Sequence, residues 1–313
     1  MLERKDLTVC DAHCDTASEM YGKFDLYSGK AHFNLESAKE YKKYFQIFAA
    51  WADPKTGKDN LQSNFKKVSE NLFYEINKHK DCISLIKSAD DIGNIKTPVC
   101  ALLSVEGADI IGENLGYIDY LYDNFVRCVT LTWNYTNAVG GVAGDDAGLS
   151  GFGKKAVLKL NEKKMIVDLS HSSEKTFFDC VKISKAPVMA SHSNAYALCA
   201  HKRNLTDEQI KTLISIGGFM GINYYPVFLN ESGKAKICDI IRHIEYVLSL
   251  GGEDILGLGS DFDGVDCLPE DMSGASDVYK IAQELLKLNY KEETVKKIMG
   301  ENFISYVKKV IIY

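Results

Sequence analysis

Proline is scarce, five in 313 residues, and no Pro/Ser-rich stretch interrupts the chain. Nothing therefore marks a linker, and residues 1–313 read as one domain, a length that α/β barrels routinely use. No apolar run approaches the ~18 uninterrupted residues of a membrane-spanning helix, so no membrane partner is expected. Excess positive charge is lacking too. Lys and Arg number 37 against 43 Asp and Glu, a net charge of −6, which leaves no electrostatic footprint for nucleic acid. The nine cysteines are odd in number, scattered and without a CxxC pair, which argues against a disulfide framework. Reduced thiols, and a start without an apolar leader or small-residue cleavage site, make a cytoplasmic protein the expectation. With 46% hydrophobic and 26% charged residues, the chain has ample material for a large core.

What recurs is a two-part unit, a short apolar run ending in polar residues and then a stretch of helical period. Eight runs carry it: 7–15, 45–53, 99–109, 126–137, 165–172, 188–194, 218–225 and 256–264. Each is too short for a lone helix and too uniformly apolar for a half-exposed strand, as buried parallel strands are. Between them, Leu61, Phe65, Val68, Leu72 and Ile76 form one helical face. Thr206 with Gln209 makes a capping-box start, and the stripe from Ile237 to Leu248 stops at Gly251-Gly252. Eight strand–helix repeats predict a single (β/α)8 TIM-type barrel; an open doubly wound sheet is the alternative. Gly257-Leu258-Gly259 lacks the third glycine of a dinucleotide fingerprint and is a weak signal.

A barrel of this kind gathers its chemistry at the C-terminal strand ends. His13 and Asp15 end the first run, Glu106 the third, His171 the fifth, His192 the sixth, and Asp261 with Asp263 the eighth. Three of only seven histidines thus sit at strand ends; His32, His79, His201 and His243 read as surface or packing residues. Strand alternation turns His13 and Asp15 to the same side. A carboxylate ending an apolar strand, as Glu106 does, costs desolvation unless it is paired or coordinates a cation. Singly these signals are weak. Together, three imidazoles and three carboxylates (Glu106, Asp15, Asp261) suit two divalent ions sharing a carboxylate bridge, the equipment of a two-metal hydrolase.

At these residues the sequence resembles the renal (membrane) dipeptidase family of zinc metallopeptidases, a branch of the amidohydrolase-like barrels. The resemblance runs through Asp11-Ala12-His13-Cys14-Asp15, Val105-Glu106-Gly107 and Gly148-Leu149-Ser150-Gly151-Phe152-Gly153. It continues in Asp168-Leu169-Ser170-His171, Ser191-His192-Ser193-Asn194, Arg203-Asn204-Leu205 and Ser260-Asp261-Phe262-Asp263-Gly264. It implies two zinc ions per chain, one on His13 and Asp15, the other on His171 and His192, with Glu106 bridging. It further implies a dipeptide substrate with an L- or D-residue at its C-terminal position, hydrolysed by hydroxide activated between the metals. Asp261 would carry the proton, Arg203 would take the substrate carboxylate, and a homodimer is allowed. Animal members place a carbonyl-polarising histidine after the fourth strand, where this chain has Trp133. Asn134 and Tyr224 are candidates to share that contact with the substrate. Two rivals stand beside the dipeptidase: a binuclear hydrolase of lactones, cyclic amides or phosphoesters, and a non-catalytic binding barrel.

Overall fold

The computed structural model describes residues 2–28 and 30–312. Among these residues there are nine strands: β1 Thr8–Cys14, β2 Lys43–Ala50, β3 Ile83–Leu85, β4 Val99–Glu106, β5 Val126–Thr130, β6 Ile166–Asp168, β7 Met189–Ala190, β8 Phe219–Ile222 and β9 Leu256–Leu258. All pair in parallel. The ring β1-β2-β4-β5-β6-β7-β8-β9 closes through β9 on β1, giving an eight-stranded barrel surrounded by helices. Every barrel strand falls within one of the eight apolar runs or overlaps it. The three-residue β3, which lies along the start of β4, was not expected, because Ile-Ser-Leu carries too little pattern to register.

The helical readings have clear physical counterparts. Leu61, Phe65, Val68 and Leu72 are the buried face of the helix Lys58–Lys78. Thr206 accepts from the Gln209 amide and Gln209 reaches back to the Thr206 amide, which starts the helix Asp207–Ile216. The helix Ile237–Ser249 ends where Gly251 takes a φ of 92°, a conformation a side chain would strain. One apolar cluster joins strands to these helices. A second joins residues two apart on three strands (Cys10 and Ala12, Phe45 and Ile47, Cys100 and Leu102) to Phe303, Tyr306 and Val307 of the C-terminal helix Asn302–Ile312. All nine cysteines are unpaired, six of them buried. Among the described residues no helix is long and apolar enough to cross a membrane.

Most runs are longer than the strands inside them, and this is what shapes the mouth. β6, β7 and β9 have only two or three residues each, so the polar ends of their runs are loop rather than strand. His171 and Asp261 lie beyond β6 and β9 with left-handed φ of 67° and 63°. Such φ values are uncommon for residues other than glycine and cluster at functional sites.

Candidate metal centre

Six side chains converge at the C-terminal end of the barrel: His13, Asp15, Glu106, His171, His192 and Asp261, none more than 9% exposed. The His13 Nε2 atom stands 3.4 Å from Asp15 Oδ2, 3.7 Å from Glu106 Oε2 and 3.9 Å from Asp261 Oδ1. Glu106 turns its other oxygen the opposite way, 3.1 Å from His171 Nε2 and 3.5 Å from His192 Nε2. One carboxylate thus faces two groups of ligands. His13 and Asp15 do lie side by side, but not through strand alternation. Asp15 has already left β1 and stands at the start of the helix Thr16–Met20, so a turn of the chain, not strand alternation, brings it back to His13.

Neighbouring side chains fix which ring nitrogens face inward. Ser191 Oγ donates to Asp168 Oδ2 at 2.6 Å and lies 2.7 Å from His192 Nδ1. A serine has one hydroxyl hydrogen, so Nδ1 of His192 must donate to Ser191, and Nε2 is left with a lone pair. Asn134 Oδ1 sits 3.2 Å from His171 Nδ1 and sets that ring the same way. The two Nε2 atoms are then 3.0 Å apart with lone pairs facing each other, an arrangement that calls for a positive charge between them. Burial, reinforced by the cationic neighbours Arg203 and His13, holds both rings well below the usual histidine range, so they are neutral donors. Burial works against charge on His13 too, but Glu106, Asp15 and Asp261 outweigh it and lift that imidazole to about 10. Burial also pushes the Glu106 and Asp261 carboxyls up, with His13 opposing.

The donor set fits divalent metal. His13 Nε2 and Asp15 Oδ1 are buried without a hydrogen-bond partner, although an unmet buried polar group is costly. Imidazole nitrogens and carboxylate oxygens at this density are the ligands zinc takes. Two overlapping trios, His13–Glu106–His192 and His13–Asp15–Asp261, have atoms close enough to share an ion. Gly264 completes the space, since a Cβ there would collide with the Asp15 carboxylate.

The remaining expected residues divide. A cavity of about 310 Å³ opens over the centre, lined by Asp15, Glu106, His171 and Asp261 together with Trp133, Asn134, Tyr225 and Phe228. Trp133 and Asn134 therefore line the space above the six side chains. Tyr224 does not: it is fully buried and packs edge-on to Phe262 at 5.7 Å. The chain has left β8 at this point, and it is the next residue, Tyr225, that reaches the cavity. Arg203 is 5% exposed; its Nη2 donates to the His192 carbonyl at 3.3 Å, while Nε has no partner. Its guanidinium carbon lies 5.6 Å from the Phe228 ring centre. Arg203 also borders a larger cleft of about 1050 Å³ that contains none of the six converging residues.

Four supporting residues escaped the sequence reading. Asp168 gathers the hydroxyls of Thr130 and Ser191 and the amides of Ser170 and Ser191. Asp11 Oδ1 accepts from the Ser260 and His13 amides, tying β1 to the chain that follows β9. Asn223 Nδ2 donates to Asp261 Oδ2 at 2.9 Å, and Asn194 holds the Asn223 backbone. The spacings Asp-x-His at 11–13 and Asp-x-x-His at 168–171 carried the only signal, an acid just upstream of two of the three strand-end histidines. Asp263 stands apart from the centre, accepting from Thr16 Oγ1 and the His32 amide. His243 is a packing residue, bonded to the Ala195 amide and the Leu229 carbonyl. Gly259 serves close packing, since a Cβ there would strike the Ser191 carbonyl.

Residues 4–311 match the family model described as membrane dipeptidase, peptidase family M19. An uncharacterized dipeptidase of Schizosaccharomyces pombe is 34% identical over 247 residues, which span 74% of this chain and 59% of that protein. A Klebsiella pneumoniae protein from the pqqA 5′ region is 32% identical over 242 residues, 73% of this chain and 89% of its own. In fold, the chain is similar to a metallopeptidase from Rhodobacter sphaeroides solved with a phosphinate mimic of L-Ala-D-Ala. The TM-score is 0.87 at 22% identity, covering 97% of this chain and 99% of that one.

Proposed function

The chain belongs to the membrane dipeptidase family of metallopeptidases, peptidase family M19, and on that premise we propose that it hydrolyses the single peptide bond of small dipeptides with two divalent cations, zinc foremost, bound at the barrel mouth. The observation that carries this reading is the division of Glu106, one oxygen toward His13 and the other toward His171 and His192. His13 and Asp15 would hold one ion, His171 and His192 the other, and Glu106 both. Bound there, the ions would supply an acidified water near neutral pH and a counter-charge for the substrate carbonyl.

The chain's own residues would do the rest. Asn223 occupies Asp261 Oδ2, which leaves Oδ1, the oxygen nearer His13, to take a proton from the attacking water and deliver it to the leaving amine. Arg203 would receive the substrate carboxylate. The other buried arginine, Arg127, is committed to the carbonyls of Lys87, Tyr122 and Val126. Arg203 has one such bond and a free Nε, and a planar guanidinium suits a carboxylate. Either configuration at the residue bearing that carboxylate agrees with a site that grips the backbone ends. A carboxylate bridge rather than a lysine at residue 106 favours the dipeptide over lactone or phosphoester substrates. The test is a panel of dipeptides, tripeptides, lactones and phosphotriesters with the zinc-loaded protein. Dipeptides should lead the panel and chelation should abolish their turnover; faster turnover of a lactone or phosphotriester would overturn the assignment.

A further inference from the structure

The chain has only two tryptophans, and both stand at the mouth. Trp51 follows β2 and Trp133 follows β5; their ring centres are 4.8 Å apart, and Tyr135 abuts Trp133 at 5.7 Å. Lys55 covers the far face of this group, its Nζ 4.6 Å from the Tyr135 ring. Both indoles are half-buried, so each keeps apolar surface in water, and Trp133 presents its share to the 310 Å³ cavity beside Glu106 and His171. The metal chemistry gives this aromatic surface no task.

Barrel order says what it faces. Around the ring, β2 and β5 flank β4, and β4 is diametrically opposite β8. Phe228 and Tyr225 follow β8 and Arg203 follows β7. Trp51, after β2, therefore stands across the mouth from Arg203, and Trp133, after β5, a quarter-turn from it, with Glu106 at the end of β4 between the tryptophans' strands. An extended dipeptide reaches about 7 Å. One that places its carboxylate at Arg203 and its peptide bond over the centre directs its N-terminal residue toward the β2–β5 side of the mouth, which the paired Trp51 and Trp133 rings cover. We infer that the Trp51–Trp133 pair is a specificity wall that selects dipeptides with a bulky apolar or aromatic N-terminal side chain. Trp133 is the contacting face and Trp51 its backing. This rests on the dipeptidase reading above and names the substrate class within it.

The test combines kinetics with emission from the zinc-loaded enzyme. Phe-Gly and Leu-Gly should exceed Gly-Gly in kcat/KM by at least about tenfold, the scale of one apolar side chain in a fitted pocket. Trp133→Ala should erase most of that ratio, chiefly through KM, and Trp133→Phe should restore part of it. A phosphinate mimic of Phe-Gly should shift tryptophan emission in the wild type, a readout that needs no variant. Equal kcat/KM for all three dipeptides, an equal loss for all three in Trp133→Ala, or tight inhibition without an emission change would each overturn the wall. Should the loaded enzyme cleave no dipeptide at all, the dipeptidase reading itself has failed and the wall falls with it.

Discussion

If Arg203 holds the substrate carboxylate, removing either partner should have the same consequence, and removing the second should add little. The structure sets the scale. Arg203 is 5% exposed, and its one hydrogen bond in the site, to the His192 carbonyl, is a long 3.3 Å. Truncating one member of a buried hydrogen-bonded charge pair costs about 2–5 kcal/mol. Because the opposite charge is here carried by a substrate that can stay in water, the lower part of that range applies, about 2–3 kcal/mol, or about 30- to 150-fold in kcat/KM. The assay is a two-by-two cycle, wild type and Arg203→Ala against a dipeptide and its C-terminal amide. Each single change should cost the full factor, with the loss in KM and kcat together, and the doubly changed pair should be scarcely worse than either. Arg203→Lys should recover little, since a point charge cannot serve the His192 carbonyl and a carboxylate at once. Losses that multiply would show that Arg203 acts elsewhere, for instance by supporting the His192 backbone, and would refute the assignment.

Two further outcomes follow from the surroundings of the ligands. Asp168→Asn should lower metal affinity about 10–100-fold, measured by competition with a chromogenic chelator, because the Ser191 hydroxyl loses the acceptor that orients His192. A variant that binds metal like the wild type would show that His192 needs no such support. Metal uptake should also release protons. Carboxylate neighbours overcome burial to hold His13 at about 10 in the metal-free protein, so at pH 8 its ring is protonated and must lose that proton to bind. Uptake should accordingly weaken as pH falls, and titration calorimetry in two buffers of different ionisation enthalpy should report at least one proton released; a buffer-independent heat would contradict this.

The barrel was legible because its strands are buried on both faces and read as unbroken apolar runs, while Leu61, Phe65 and Thr206-Gln209 mark helices by spacing and capping. The short β3 escaped because three residues hold no period. At the site, residues that touch the centre directly were visible as polar groups ending apolar runs. The supports were not: Asp11, Asp168 and Asn223 act through hydrogen bonds to Ser260, Ser191 and Asp261, and no spacing rule states that Asp168 meets Ser191 across two strands. Tyr224 failed for a related reason, since its side depends on how the chain turns after β8. The burial of Arg203 carried no signal in the bare sequence, because burial of a loop is set by what packs over it, here Phe228.

The central claim is that one glutamate joins two cations. Elemental analysis of protein saturated with Zn²⁺ and freed of excess should give about two ions per chain for the wild type, and one or none for Glu106→Gln, with dipeptide hydrolysis lost. One ion per chain in the wild type, or two retained by an active Glu106→Gln enzyme, would contradict the account.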